Sequence, residues 1–266
     1  MTYLKEILGT VKKQSPILYW IAMIHFLLII VCMIGLFIDE RTLQGVNVWV
    51  KPLKFSISLG IYILTVGYII TLYPFSKRKK NIINNIVSWT SLLEMGIIIY
   101  QAQRGVQSHY NTSSVLDSLL FLGMGVLTIL NVLVMFLFII ETIRLKLKTT
   151  TPVQVAILIG WLIIVTGSWV GGQMINQLSH NVGAADGGAG LPLLNWSTVV
   201  GDLRVAHFFG LHGIQIIPLF ALWVSKKWKT KSINQIIIVT VFGLIYALWI
   251  GFVFYQAKQG IPLISV

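Results

Sequence analysis

The sequence has few charged residues. Asp, Glu, Lys and Arg make up 11% of its 266 residues, whereas a soluble domain contains about 25%. Hydrophobic residues account for 56% of the chain, and the mean hydropathy is +0.83. This shortage of charge excludes an ordinary soluble domain and predicts an integral membrane protein.

Cysteine and several catalytic motifs are also scarce or absent. The one cysteine, Cys32, lies in the first apolar run, which excludes a disulfide framework and a thiolate metal site. The sequence has no Walker, Gly-x-Ser-x-Gly or Cys-x-x-Cys motif. No lysine lies inside an apolar run, which excludes a retinal Schiff base in the membrane.

Acidic residues are outnumbered, and the formal net charge is +12. A surplus of this size is typical of nucleic-acid-binding proteins, but its placement predicts a different role and no nucleic-acid partner. Fourteen of the twenty Lys and Arg fall into four clusters that flank apolar runs: Lys5/Lys12/Lys13, Lys77–Lys80, Arg144/Lys146/Lys148 and Lys226/Lys227/Lys229/Lys231. If every run crosses the membrane, all four lie on one side, which is the positive-inside pattern.

The apolar runs predict seven transmembrane helices, because each is close to the ~20 residues that cross a bilayer. They show no period-2 alternation, so a β-barrel is excluded. The N-terminus is then cytoplasmic and the C-terminus external. The predicted spans are 17–38, 55–73, 82–101, 116–140, 153–172, 203–224 and 233–255.

An internal repeat is visible. A shift of 150 residues places Lys54 on Arg204 and Gly60 on Gly210, and a shift of 155 places residues 100–105 on 255–260. We therefore expect an all-α, single transmembrane domain with a parallel 3+1+3 plan, its halves related by a pseudo-twofold axis along the membrane normal. Its parts are a cytoplasmic tail (1–16), a first repeat (17–106), a linker loop with the fourth helix (107–149) and a second repeat (150–266).

The outer loop 173–202 is the longest of the predicted connections and is rich in glycine. Long loops of this kind are often lids or binding loops. A flexible connector is the alternative.

Glu94 is the only carboxylate near the middle of a predicted span. His212 lies at nearly the same depth in the sixth span, so the two could pair and share a proton. Ionisable groups at that depth usually mark a functional site. A polar pin between two helices is the alternative.

Lys54 and Arg204 occupy equivalent repeat positions near the outer surface. With Gln101 and Gln256 they would form an electropositive vestibule for an anion, and Asp202 could pair with Arg204 or Lys54. Long basic side chains that snorkel to the interface are the alternative. The complete set of predicted ligand-binding residues is Lys54, Tyr62, Glu94, Gln101, Arg104, Asp202, Arg204, His207, His212, Gln215 and Gln256.

A metal or haem site is the rival hypothesis, and the sequence does not identify a cofactor. The metal candidates are His109, His180 and His207, drawn from three segments. His207 and His212 are five residues apart, which is unsuited to one ion on a helix. No spacing selects a pair of axial histidines for haem. His25 in the first span is expected to be a packed, hydrogen-bonded core residue.

Three strings resemble a family of bacterial seven-helix membrane proteins: Asn47–Phe55 (NVWVKPLKF), Ser108–Asn111 (SHYN) and Gly201–His212 (GDLRVAHFFGLH). The resemblance covers most of the chain and implies a bacterial inner membrane, but no activity. In plan the chain is also similar to sugar transporters of the 3+1+3 type. It departs from them in its inverted orientation and in lacking their proline–glutamine motif.

The sequence as a whole therefore predicts a multi-pass transporter or small-molecule-binding protein in the lipid bilayer. Its cavity would open outward and attract an anionic ligand, above a Glu94/His212 proton site. A metal- or haem-dependent membrane enzyme that uses the outer histidines is the alternative.

Overall fold

A computed structural model describes residues 2–228 and 230–265. Lys229, a member of the fourth basic cluster, lies outside the described residues. Eight helices occur in the described part of the chain: α1 Thr2–Gln14, α2 Pro16–Ile38, α3 Val50–Leu72, α4 Lys77–Arg104, α5 Val115–Arg144, α6 Thr151–Gln177, α7 Leu203–Lys227 and α8 Ser232–Lys258. Seven of them, α2 to α8, are long and apolar enough to span a membrane.

The chain divides into two compact units, Met1–Val134 and Met135–Val266, with the boundary inside α5. In the first unit α2, α3 and α4 pack against one another, and α1 packs on α2 and α3. In the second unit α6, α7 and α8 pack against one another. A triplet of mutually packed helices is therefore the central element of each unit.

Each unit also contains a small antiparallel hairpin before the second helix of its triplet. In the first unit β1 (Thr42–Leu43) pairs with β2 (Val46–Asn47). In the second unit β3 (Asn181–Val182) pairs with β4 (Gly201–Asp202). These hairpins order the segments that the sequence predicts to be outer loops.

Several helix boundaries differ from the expectation, among them the start of α4, which begins at Lys77 rather than at residue 82. The predicted tail forms α1, because Val11 is fully buried and packs against Gly67 of α3. Helix α3 begins at Val50 rather than at residue 55, since Pro52 lies in the first turn, where a missing N–H costs nothing. Helix α6 continues to Gln177, which shortens the predicted loop 173–202.

The third helix of each triplet ends in the same way. At the end of α4, Gly105 has φ 70° and its N–H donates to Ala102 O at 2.9 Å. At the end of α8, Gly260 has φ 74° and its N–H donates to Ala257 O at 3.0 Å. This left-handed backbone favours glycine, and the two caps coincide under the 155-residue shift.

The glutamine side chains at these two helix ends also behave alike. Gln101 Nε2 donates to Gln107 O at 3.5 Å, and Gln256 Nε2 donates to Pro262 O at 2.7 Å. Each bond joins a glutamine to the carbonyl six residues later. The two helix ends therefore share this local geometry, and the internal repeat stays a prediction.

Candidate functional site

Glu94 lies in the interior of α4 and is half-buried. Its carboxylate interacts electrostatically with Lys51 and Tyr62, both on α3. Lys51 reaches this position because α3 begins at Val50 and so places the lysine in the first helical turn. Sequence analysis placed Lys51 in a loop and did not select it as a ligand residue.

Lys51 also contacts His109, in the segment that follows α4. Lys51 Nζ donates to His109 Nδ1 at 3.2 Å and lies 5.9 Å from the centre of the Phe55 ring. Ser108 Oγ lies 3.1 Å from the same imidazole nitrogen. Lys51 and His109 are thus in contact, and Glu94 interacts electrostatically with Lys51 and Tyr62. We call these four residues of the first unit the Glu94 cluster.

Gln101 and Arg104, two predicted ligand residues, bind Asp117 at the start of α5. Gln101 Nε2 donates to Asp117 Oδ1 at 2.7 Å, and Arg104 Nη1 forms a 2.5 Å ion pair with the same oxygen. Ser114 Oγ donates to Asp117 Oδ2 at 2.6 Å. Sequence analysis missed Asp117, although Ser114-Val-Leu-Asp117 carries the signal of a helix-capping pair.

A second ion pair lies between α2 and the hairpin of the first unit, and its arginine also bonds to α4. Arg41 Nη2 contacts Asp39 Oδ2 at 2.7 Å, and Trp49 Nε1 donates to the same oxygen at 2.9 Å. Arg41 Nη1 also donates to Gln103 O at 3.0 Å. The hydrogen bonds from Arg41 and Trp49 hold the pKa of Asp39 well below its ordinary value, so Asp39 stays charged.

In the second unit Asp202 is the N-cap of α7 and is 1% exposed. It pairs with Arg204 at 2.6 Å and accepts a hydrogen bond from Ser197 N at 2.8 Å. Arg204 Nη2 also donates to Asn195 O. An anion at Arg204 would have to compete with this carboxylate, as one at Arg104 would with Asp117.

The loop that precedes α7 is held together by His180 and Asp186. His180 Nδ1 lies 2.5 Å from Asp186 Oδ2, and Asn181 N donates to Asp186 Oδ1 at 2.9 Å. Burial alone would raise the pKa of Asp186, but the bonds and charge of His180 outweigh it and lower the pKa to about 2. The loop is therefore internally bonded in the described residues.

The remaining predicted ligand residues occupy varied positions. His207 Nδ1 donates to Gly167 O at 2.8 Å, which ties α7 to α6. The His212 ring packs on Phe208, with 4.6 Å between ring centres. Gln215 is buried in α7, and Lys54 is half-buried in the second turn of α3.

Two site hypotheses concern residues that lie far apart in the sequence. Glu94 belongs to the first unit and His212 to the second, and their pairing stays a prediction. Among the described residues, no group of three or more His, Cys, Asp or Glu is placed to hold a metal ion. His109, His180 and His207 instead contact Lys51, Asp186 and Gly167 respectively.

Comparison with known proteins adds no assignment to this geometry. No protein-family model, no curated protein and no solved structure matches the chain. The resemblance of its motifs to a bacterial seven-helix family therefore stays a prediction. What the structure establishes is a multi-pass, all-helical membrane protein, since seven of its described helices can span a bilayer.

Proposed function

We propose that this protein is a membrane transporter or small-molecule-binding protein whose ligand site is the Glu94 cluster. The observation that carries the proposal is a carboxylate in the interior of α4 that interacts with Lys51, whose ammonium group contacts His109. Placing an acid and a base inside a membrane costs free energy, so such residues usually mark a functional site.

The chemistry of the cluster fits a proton-coupled anion site. Lys51 supplies a compact positive charge, and the imidazole of His109 supplies a second polar contact for a carboxylate or phosphate group. Glu94 is the titratable partner: its protonation removes a negative charge from beside Lys51. Anion binding and proton binding at the cluster would therefore favour one another.

The outer-surface residues extend this proposal. Asp202 covers Arg204, so an arriving anion would first displace that contact. The same proposal has four further parts. They are the vestibule, the proton pair of Glu94 with His212, the parallel repeat and the location in a bacterial inner membrane. The vestibule residues are Lys54, Gln101, Arg204 and Gln256, with Asp202 beside them, and the other predicted ligand residues outside the Glu94 cluster are Arg104, His207, His212 and Gln215.

Thermal unfolding of the detergent-solubilised protein tests the ligand site. Inorganic phosphate, acetate, succinate and glutamate would each be added to wild type, Lys51→Met and Lys146→Gln. We expect at least one of the four anions to stabilise wild type and Lys146→Gln, and not Lys51→Met. Equal stabilisation of all three proteins, or of none, would contradict the anion site.

An absorption spectrum and elemental analysis of the same preparation separate this proposal from a metal- or haem-dependent enzyme. A Soret band or a stoichiometric metal would favour the enzyme. The proposal expects neither.

A further inference from the structure

A row of buried polar side chains follows one face of α4 below Glu94. Asn84, Ser88 and Ser91 are 3%, 0% and 1% exposed; we call these three the α4 polar stripe. Their Asn Oδ1 and Ser Oγ atoms have no hydrogen-bond partner among the residues that the structure describes. A buried polar atom that stays unsatisfied destabilises the folded state, so the stripe needs an explanation.

The stripe faces the interior of the first unit. The backbone of Ser91 lies against the ring of His25 on α2. Met95, one turn beyond Ser91, accepts a hydrogen bond from Ser56 of α3 at 3.6 Å. The three polar side chains share this face by their spacing of three and four residues, so they point toward α2 and α3.

Two more unsatisfied atoms lie on those neighbouring helices. His25 is fully buried, and its Nδ1 donates to Ile21 O at 2.8 Å. Its Nε2 makes no hydrogen bond of ordinary geometry in the described part of the chain, although the ring also interacts with the Ser91 backbone. The Tyr62 hydroxyl has no partner among the described residues either. Tyr62 interacts with Glu94, so the unsatisfied atoms continue as far as the Glu94 cluster.

The spacing of the stripe suits single water molecules. Its members, continued to Glu94, are three or four residues apart, which is about 4.5–6 Å along a helix. One water that bonds to two groups at about 2.8 Å each spans about 5.6 Å. Buried waters of this kind satisfy otherwise unpartnered polar groups in proteins.

The second unit shows that helix packing does not require these polar residues. Under the 155-residue shift the stripe corresponds to Val239, Gly243 and Tyr246 of α8. Val239 and Gly243 are buried and apolar, and the hydroxyl of Tyr246 donates to Phe209 O at 2.7 Å. Equivalent positions therefore pack without any unsatisfied polar atom.

We propose that the α4 polar stripe, His25 and Tyr62 hold a file of water molecules that carries protons between Glu94 and the end of α4 at Lys77–Lys80. This inference rests on the proposed function, because it supplies the proton that Glu94 exchanges. In each step a water gives one proton to its neighbour and receives one from the other side, so no other reactant is needed. The described groups that interact with Glu94 are Lys51 and Tyr62, while His109 bonds to Lys51 and His25 lies beside Ser91.

Apolar packing closes the stripe on its other side. Met95 and Ile98, the next residues of this face, are 0% and 1% exposed and belong to an apolar cluster with Met124. Water that follows the stripe would therefore reach Glu94 from the Lys77 end of α4 and stop there. We therefore expect water and protons to reach Glu94 only from the Lys77 end of α4.

Infrared spectroscopy tests the path through the carboxyl group itself. The C=O band of protonated Glu94 is identified by its loss in Glu94→Gln, and its shift in D₂O measures how fast the proton exchanges. We expect Ser88→Ala/Ser91→Ala and Ser88→Val to slow this exchange by about tenfold or more, the effect of losing one hydrogen bond. Thr65→Val is the matched control, because the Thr65 hydroxyl bonds to Ile61 O of its own helix.

Equal exchange rates in all variants would overturn the water file and leave the proposed function standing. The absence of a Glu94 band at every pH would instead overturn the proton role of Glu94. Hydroxyl-radical labelling by X-rays then tests the file separately, since buried water labels its neighbours. We expect labelling of His25 and Tyr62 but not of Phe138, which is as fully buried as His25; unlabelled His25 and Tyr62 would contradict the file.

Discussion

Glu94 differs from the other membrane-adjacent acids in its partner. Asp39, Asp117, Glu141 and Asp202 each form an ion pair with an arginine. Glu94 interacts with a lysine and a tyrosine instead. The acids near the helix ends are thus paired with arginine, and Glu94 is the acid that we propose exchanges a proton.

Replacing Glu94 with Gln should remove the pH dependence of anion binding. The amide keeps the shape of the side chain but cannot titrate. Because protonation of Glu94 favours anion binding, the affinity of wild type should fall as the pH rises, and the affinity of Glu94→Gln should not follow this titration. Isothermal titration at a series of pH values measures the effect. Stability should change by about 1 kcal/mol or less, and a variant that kept the wild-type pH profile would exclude Glu94 as the proton carrier.

Acid should loosen the loop that precedes α7. The pKa of Asp186 is lowered from 3.8 to about 2 in the folded protein, so its contribution is present above pH 4 and is lost as the pH falls through about 2. The contribution is about 2 kcal/mol, at about 1.4 kcal/mol per pKa unit. The protection factors of the backbone amides of residues 178–202 against hydrogen exchange should fall over this interval.

Asp186→Asn should reproduce that loosening at neutral pH, because the amide loses the charge that His180 and the backbone N–H groups stabilise. Asp39→Asn is the matched control, because Asp39 lies beside the hairpin of the first unit and pairs with Arg41 there. If Asp186→Asn left the exchange of residues 178–202 unchanged at neutral pH, the His180–Asp186 contact would not hold the loop.

Among the elements, α6 and α7 approach closely where two glycines meet. A Cβ at Gly210 would lie 2.4 Å from Gly167 Cα. At the same crossing His207 bonds to Gly167 O. Small residues that let membrane helices approach are typical of such interfaces, and this contact fixes α7 and its N-terminal Asp202–Arg204 pair against α6.

Gly210→Val should therefore destabilise the second unit by about 1–3 kcal/mol, the usual cost of overpacking. Gly172→Val is the matched control, because a Cβ at Gly172 would meet nothing within 4 Å. Gly210 lies in α7 and Gly172 in α6. Thermal unfolding in detergent therefore compares the same substitution in the two helices that cross. Equal loss in the two variants would show that helix propensity, and not the close approach, sets the cost.

At the scale of the whole chain, four basic clusters determine the expected orientation. In the second unit as in the first, the triplet helices are joined by one short connection and one hairpin. The basic clusters lie at the short connections between helices. The hairpins and the longer loops lie at the opposite helix ends. This arrangement favours cytoplasmic clusters and external hairpins.

Cysteine labelling in intact cells should verify this orientation. In a Cys32→Ala background, a membrane-impermeant maleimide should react with cysteine at position 179 from outside, and with cysteine at position 79 only after the membrane is opened. Cys32 is the one native cysteine, so the Cys32→Ala protein without an added cysteine is the unlabelled control. The reverse pattern would place the Lys77 end of α4 outside and invert the direction of the proposed proton path.

The sequence by itself determined the helices, because a bilayer demands about twenty apolar residues and leaves few alternatives. The ends of α2, α7 and α8 fall within a few residues of their predicted positions. Glu94 was also found from sequence, since a carboxylate in an apolar run is visible without a structure. The repeat was suggested by the match of residues 100–105 to residues 255–260.

Only the tertiary structure decided the partners of these residues. Lys51 and His109 are 58 positions apart and meet because α3 begins at Val50, which the apolar pattern does not reveal. Asp117 captures Gln101 and Arg104 because the segment after α4 folds back on its end. The α4 polar stripe looks like ordinary serine and asparagine in sequence, and burial alone makes its unsatisfied atoms significant: hydrophobic length is a local property, whereas desolvation depends on which helices pack together.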